Sequence, residues 1–286
     1  MTRISVAETI RFAYTFAFGQ IGAIIGLVWL PLLIAALLQF LPYAIGTAYP
    51  PDSSDAAGAT GAALLNFAFV AATLVLYAMN CVSVTRQALG LRQGAATVHF
   101  SLGRPEWRMF AAIVICLLIT VSVLMFCLLV ATIPTRLAGA PDLLGVVAAL
   151  AGLCAAVWVT LRLVFFVPSV VVAEERIDLP RAWMLSRQNF WRILAIVLAA
   201  TVPFLLIQGV VFLIILGPGF VAPLPTNTAA AAITLTHRLA LFDRHMPTVI
   251  GFALVLAPFN LGLTLGASAF AYRALVPARP SVRSPA

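Results

Sequence analysis

Six long tracts of the chain consist almost entirely of apolar residues, and short arginine-rich segments separate them. The tracts cover residues 19–46, 59–84, 109–133, 143–161, 193–216 and 249–272. A helix needs about 20 apolar residues to cross a hydrocarbon core about 30 Å thick, and every tract is long enough to do so. The pattern predicts an all-α polytopic membrane protein with six transmembrane helices.

Composition supports this prediction. The 286 residues are 63% hydrophobic and 9% charged, and the mean hydropathy is +1.09. Soluble domains carry charge on about a quarter of their residues. The first tract is longer than the apolar region of a cleavable signal peptide and lacks a convincing cleavage site, so we expect it to stay in the mature chain.

The basic residues predict the orientation. All 17 are arginines, which excludes chemistry that needs a lysine amine, such as a Walker A loop or a Schiff base. The net charge of +8 is spread over short segments between apolar tracts, which indicates membrane orientation and no nucleic-acid binding. Six spans place both termini on one side, where fourteen arginines lie: Arg3, Arg11, Arg86, Arg92, Arg104, Arg108, Arg162, Arg176, Arg181, Arg187, Arg192, Arg273, Arg279 and Arg283.

Three arginines lie on the opposite side: Arg136, Arg238 and Arg244. Because basic segments remain in the cytoplasm, both termini are predicted to be cytoplasmic. The exclusive use of arginine and the lack of an organelle-type presequence favour a bacterial inner membrane.

An internal repeat predicts how the spans are arranged. Residues 107–114 (WRMFAAIV) are echoed by residues 191–198 (WRILAIVL), and an arginine follows each return span at Arg86, Arg162 and Arg273. We therefore expect three hairpins with the same orientation.

A basic amphipathic segment precedes these hairpins. Ser5 and Glu8 fit a capping box, and Asp178 fits the N-cap of a second short helix. These features predict short helices that lie in the cytoplasmic membrane interface. The alternative is that the two segments are the water-exposed ends of transmembrane helices. Arginines at phosphate level and aromatic anchors in the headgroup zone define the candidate lipid-contact residues. These are Arg162, Arg181, Trp183, Arg187, Trp191 and Arg192.

The tract that begins at residue 143 is too long for one span. A continuous helix over residues 143–173 would measure about 46 Å at 1.5 Å per residue. We expect a break at Pro168, which keeps Arg162 at the cytoplasmic boundary. Residues 164–172 would then either turn along the interface or pack under the bundle.

Small residues predict close helix packing within the bundle. They form a stripe on the fourth span and GxxxG pairs on the first and sixth: Gly145, Ala149, Gly152 and Ala156; Gly22 and Gly26; Gly262 and Gly266.

Reactive clusters are missing from the sequence, so no catalytic residue, metal or cofactor is predicted. The four cysteines lie in apolar tracts and are interpreted as buried small hydrophobes. His237, Asp243 and His245 lie in the long external loop, which is expected to be partly helical over residues 228–243. They are interpreted as ordinary polar positions instead of metal ligands.

The spans contain no aspartate or glutamate, which argues against a proton-coupled transporter. Gln208 and Asn260, close to Pro203 and Pro258, mark a possible polar cavity between the fifth and sixth spans.

Residues 162–174 (RLVFFVPSVVVAE) and 179–192 (LPRAWMLSRQNFWR) resemble a pattern in bacterial polytopic membrane domains. These domains are fused to, or named after, glycerophosphodiester phosphodiesterases, and related inner-membrane families share the pattern. The resemblance covers these two segments well and the six-span layout loosely. It implies no agreed activity, because the phosphodiesterase chemistry belongs to a soluble metal-dependent barrel domain. No catalytic residue is therefore transferred to this chain.

Taken together, the sequence predicts one membrane-embedded domain over residues 1–275 and a disordered, proline-rich cytoplasmic tail over residues 276–286. The predicted function is that of a non-enzymatic scaffold, accessory or lipid-contacting module, with membrane lipids as partners; the sequence identifies no protein partner. The first alternative is a permease for a small amphiphilic molecule. The second is a membrane-embedded lipid enzyme, for which a base and nucleophile pair is missing.

Overall fold

A computed structural model describes residues 4–48, 56–92, 100–137, 142–217, 220, 222 and 227–276. Within these ranges the chain forms ten α-helices and no strand, which confirms the predicted all-α class. The helices are α1 (Val6–Gly19), α2 (Ile21–Ala48), α3 (Ala56–Ala88), α4 (Arg104–Leu137), α5 (Asp142–Val164), α6 (Val167–Glu174), α7 (Leu179–Arg187), α8 (Phe190–Leu216), α9 (Thr228–Arg244) and α10 (Met246–Leu275). Apart from Val276, the predicted tail lies outside the described residues.

The structure contains the six predicted spans. Five lie in α2, α3, α4, α8 and α10. The remaining apolar stretch, Val147–Glu174, includes both α5 and α6, so the position of Arg162 at the cytoplasmic boundary stays a prediction. Large apolar side chains such as Leu118, Phe126, Leu206 and Ile214 are exposed on α4 and α8. Such extensive apolar surface is stable in lipid and unfavourable in water, so the chain is an integral membrane protein that crosses the bilayer several times.

Consecutive spans are neighbours in space. α2 packs against α3, α4 against α5, and α8 against α10. α10 also contacts α1, α2 and α3, which makes it the central helix of the bundle. The orientation of these pairs relative to a bilayer, and an interfacial position for α1 and α7, stay predictions.

The predicted break at Pro168 is confirmed. α5 ends at Val164, and α6 begins with Pro168 in its first turn, where a missing backbone N–H is tolerated. Ser268 Oγ on α10 donates a hydrogen bond to the carbonyl of Phe165 at 2.6 Å, and Ser169 Oγ lies 2.7 Å from Ser268 Oγ. Because its residues 167–172 are buried against α3, α4 and α10, α6 packs inside the bundle.

The start of α1 corrects one prediction. Ser5 is the N-cap residue, as predicted, but its side chain makes no capping hydrogen bond. The predicted capping box between Ser5 and Glu8 is therefore wrong. Thr9 Oγ1 instead donates to the Ser5 carbonyl at 2.6 Å. The boundary of the helix was predicted correctly, and the side-chain contact was not.

Small residues bring helices together at three of the predicted positions, one of which is Gly266, where a Cβ atom would lie 2.8 Å from Phe16 Cδ1. A Cβ atom on Gly262 would lie 3.1 Å from Ala17 Cβ, so this glycine allows α10 to approach α1 closely. A Cβ atom on Gly152 would lie 2.5 Å from Cys127 Cβ, so α5 and α4 are in tight contact. Gly22, by contrast, has open space where a side chain would lie.

Candidate lipid-contact site

Arg162 lies in the last turn of α5, where a positive charge interacts favourably with the helix dipole. Its guanidinium carbon Cζ lies 4.3 Å from the ring centroid of Trp158 and 4.9 Å from that of Trp183. Trp158 is one turn earlier on the same helix, and Trp183 comes from α7. The two indoles meet edge to face at 5.4 Å, so the cation is held between two aromatic rings.

The hydrogen bonding of Arg162 is incomplete. Nη2 donates to the backbone carbonyl of Arg187 at 3.1 Å, whereas Nε is buried and has no hydrogen-bond partner. Among the described residues, no carboxylate lies within 4 Å of this guanidinium. A cation without a counter-anion is expensive to desolvate, and the aromatic faces compensate only part of this cost.

A groove of about 600 Å³ opens beside Arg162, between α5, the α7–α8 junction and the start of α8. Arg162 and Arg187 are the charged residues of its lining, and most of the others are apolar. The groove therefore has a cationic end and an apolar wall. Its lining residues are Leu153, Cys154, Val157, Trp158, Arg162, Arg187, Gln188, Phe190, Trp191 and Leu194.

Local sequence explains why α7 presents Trp183 to Arg162. Asp178 is the N-cap, and its Oδ1 accepts a hydrogen bond from the Arg181 N–H at 2.9 Å, which confirms the predicted cap. Pro180 occupies the first turn, where its fixed φ favours a helix. The helix ends after nine residues at Arg187, so the chain turns back into α8 beside the end of α5.

Three of the six predicted lipid-contact residues line the groove, and a fourth, Trp183, contacts its arginine. Arg162 and Arg187 supply its charge, Trp183 covers the guanidinium, and Trp191 forms part of the rim. The Trp191 side chain is 77% exposed and meets Phe190 edge to face at 5.3 Å. Trp158 was not predicted, although its position one turn before Arg162 on a helix was a usable signal.

Arg192 lies apart from this group and packs against the N-terminal segment. Its Nη1 donates to the carbonyl of Ile4 at 2.7 Å, and the N–H of Ile4 is 3.3 Å from Asn189 Oδ1. Ile4 is fully buried, so these hydrogen bonds hold the residue that precedes α1 against the α7–α8 junction. Contact between Arg192 and lipid stays a prediction.

Arg181 belongs to a separate cluster that we call the ionic cleft: Glu174, Arg176, Asp178, Arg181 and Tyr272. Glu174 lies 3.0 Å from Arg176 and 3.5 Å from Arg181, and it accepts a hydrogen bond from the Tyr272 hydroxyl at 3.1 Å. Asp178 pairs with Arg176 at 2.9 Å. These residues line a cavity of about 980 Å³ between the ends of α6, α7 and α10.

The ionic cleft was not predicted, because Asp178 was interpreted only as a helix cap and Glu174 was given no partner. The signal was present in the alternating charges of residues 174–181. The backbone reverses at this point: Glu175 ends α6 in the left-handed conformation with φ +52°, and its carbonyl accepts a hydrogen bond from Arg108 on α4.

The predicted polar cavity near Gln208 and Asn260 is not among the four cavities whose lining the structure describes. Gln208 is half-buried on α8, and Asn260 is exposed on α10. The backbone carbonyl of Asn260 accepts a hydrogen bond from Thr264 Oγ1 at 2.7 Å. A cavity formed by these two residues stays a prediction.

The four cysteines are free thiols with different surroundings. Cys81 and Cys116 are buried, as predicted, and line a cavity of about 210 Å³ between α3, α4, α5 and α6. Cys127 is half-buried, and Cys154 is exposed in the groove beside Arg162. The prediction of burial is wrong for Cys154, because α5 turns that side of the helix outward.

Comparisons of this chain with protein-family models, with curated proteins and with solved structures give no match. The resemblance to the phosphodiesterase-associated membrane domains therefore stays a prediction.

Proposed function

We propose that this integral membrane protein is a non-enzymatic module whose arginine-rich side contacts anionic lipid headgroups in the cytoplasmic leaflet of a bacterial inner membrane. The observation that carries the proposal is the environment of Arg162. This arginine sits between two tryptophans at a helix end and has no carboxylate partner among the described residues.

Membrane physics supports a lipid as the missing anion. Tryptophan favours the headgroup zone, and each arginine near an anionic membrane surface contributes about 1 kcal/mol of attraction. Arg162, Arg187 and the exposed Trp191 combine both features at one place. Protein carboxylates neutralise the nearby ionic cleft, so the groove is the stronger attractant for an anionic headgroup.

The location and the cytoplasmic termini are supported by the distribution of arginines, fourteen against three. Topology reporters test this part of the proposal. A reporter fused after Val276 is expected to be active in the cytoplasm, and one inserted at Asn227, between α8 and α9, is expected to be active outside it. The opposite pattern would invert the orientation and place the groove in the other leaflet.

The non-enzymatic part rests on the sequence motifs alone, because no pair of base and nucleophile is recognisable. The resemblance to membrane domains for which no activity is agreed implies no catalytic residue for this chain. Incubation of the purified chain with a labelled total lipid extract is expected to return every lipid unchanged. A defined conversion that requires the intact chain would contradict it.

Lipid preference is tested on the full-length protein extracted in a mild detergent. The lipids that co-purify are quantified by mass spectrometry and compared with the lipids of the source membrane. We expect anionic phospholipids to be enriched with the wild-type chain and less enriched with Arg162→Gln. A co-purified pool with the composition of the membrane would refute the lipid-contact proposal.

A further inference from the structure

We propose that the groove beside Arg162 is a site for one anionic phospholipid, with the phosphate on the arginine end and one acyl chain along α5 and α8. This inference rests on the proposed lipid contact and sharpens it, because it replaces a general preference for anionic membranes with one bound molecule.

The cationic end of the groove suits a phosphate. Arg162 and Arg187 are the charged residues of the described lining, which includes no carboxylate. The Arg187 carbonyl occupies one donor of Arg162, while the buried Nε is still unpaired. A guanidinium presents its donors in a fork that matches two phosphate oxygens. Because the unpaired Nε is buried, a phosphate in the groove would bind the terminal nitrogens of the guanidinium, beside the donor that the Arg187 carbonyl occupies.

The remainder of the groove suits an acyl chain. Its apolar wall includes Leu153 and Val157 on α5 and Leu194 on α8. Leu153 lies nine residues before Arg162, which places it about 14 Å further along the helix at 1.5 Å per residue. The groove volume of about 600 Å³ is within the usual range of ligand pockets. One acyl chain thus has an apolar surface that begins at the charged end.

The polarity of the groove points to a lipid from the bilayer and not to a soluble anion. Its arginine end is at the C-terminal end of α5, its apolar end continues towards the middle of α5 at Leu153, and the exposed Trp191 is part of the lining. A phospholipid of the adjoining leaflet has the same order of headgroup and chain. It can move sideways into the groove without leaving the membrane.

A photoreactive phosphatidylglycerol with a diazirine on one acyl chain tests the site in the full-length protein in nanodiscs. Cross-links are expected in peptides that contain residues 153–157 and residue 194. Unlabelled phosphatidylglycerol is expected to compete at least about tenfold better than phosphatidylcholine with the same chains. Glycerol phosphate, which has the anion without a chain, is expected not to compete. Native mass spectrometry is expected to show one tightly retained lipid per chain.

Two variants separate the parts of the site. Arg162→Gln removes the charge and is expected to weaken phosphatidylglycerol binding about tenfold, because a hydrogen bond to a charged group is lost. Val157→Trp fills the apolar wall and is expected to weaken both phospholipids. Arg11→Gln removes an exposed arginine on α1 and is the matched control. The cross-linking map of the wild-type chain needs no variant, so a variant that fails to fold does not remove the test.

The outcomes distinguish the site from the general proposal. Cross-links spread over all spans, equal competition by both phospholipids or full competition by glycerol phosphate would overturn the single-lipid site. If anionic lipids still co-purify in excess, and Arg11→Gln reduces them as much as Arg162→Gln, only the general contact survives. If no anionic preference exists at all, both proposals fail.

Discussion

Two groups of arginines near α7 have opposite chemical surroundings. In the ionic cleft, Arg176 and Arg181 face Glu174, and Arg176 also faces Asp178. In the groove, Arg162 faces two indole rings and one backbone carbonyl. The same type of residue is thus neutralised by the protein on one side of α7 and left as a net positive charge on the other.

This difference separates a stabilising role from a binding role. Glu174 is 16% exposed and is contacted by two arginines and a tyrosine hydroxyl, so it links α6, α7 and α10. Arg162 has no such link to a described acid, and its charge is available to a molecule from outside. The substitutions below test this division.

The largest effect on stability is expected for Glu174→Gln. The change keeps the shape of the side chain and removes the charge that holds two arginines, so we expect a loss of about 2 kcal/mol in the free energy of unfolding. The thermal unfolding midpoint of the full-length protein in nanodiscs measures it. Glu8→Gln, at an exposed position on α1, is the control. Equal midpoints for the two variants would mean that the ionic cleft does not stabilise the fold.

A smaller effect is expected for Asp178. Asp178→Ala removes both the N-cap acceptor of α7 and the partner of Arg176, at a cost of about 1 kcal/mol. Asp178→Asn keeps an oxygen for the Arg181 N–H and loses only the charge, so it is expected to lie between Asp178→Ala and wild type. If Asn and Ala were equally destabilising, the cap would contribute nothing.

Removing one of the two indole rings that contact Arg162 is expected to destabilise the fold less than the substitutions in the ionic cleft. It is expected to reduce the preference for anionic lipid more than they do. Trp158→Leu loses a cation–π contact of about 0.5–1 kcal/mol. We expect the excess of co-purified anionic lipid to fall, because the guanidinium is no longer held in place. Trp107→Leu, at another exposed tryptophan, is the matched control. A similar fall in both variants would show a general aromatic effect at the membrane surface.

Salt is expected to give the smallest and most selective effect. Raising the ionic strength from 0.1 to 1 M shortens the screening length from about 10 to about 3 Å. The destabilisation caused by Glu174→Gln should shrink by a few tenths of a kcal/mol, because Arg176 is largely exposed. The destabilisation caused by Trp158→Leu should stay constant within error. Equal salt dependence would mean that the two environments do not differ as described.

The parts of the fold that the sequence predicted correctly are those that local physics determines. Span length depends on apolar residues in one continuous tract, the break at Pro168 depends on a missing N–H, and the cap at Asp178 depends on a side chain three residues from its donor. None of these features requires knowledge of the tertiary arrangement.

The division among the arginines could not be predicted, because it depends on partners that are distant in sequence. Arg162 meets Trp183 only when α7 folds back against α5, and Arg192 meets Ile4 across 188 positions. The predicted lipid-contact arginines and tryptophans therefore appeared equivalent to one another in the sequence. The structure separates them by what each one touches.

The most direct test of the account compares unfolding midpoints in phosphatidylglycerol and phosphatidylcholine nanodiscs for wild type, Arg162→Gln and Arg11→Gln. A ligand that binds the folded protein raises its stability according to its affinity and concentration. We predict that phosphatidylglycerol raises the midpoint of wild type and Arg11→Gln, and that Arg162→Gln loses most of this increase. An equal increase in all three proteins, or no increase in wild type, would contradict the claim that a membrane lipid supplies the missing partner of Arg162.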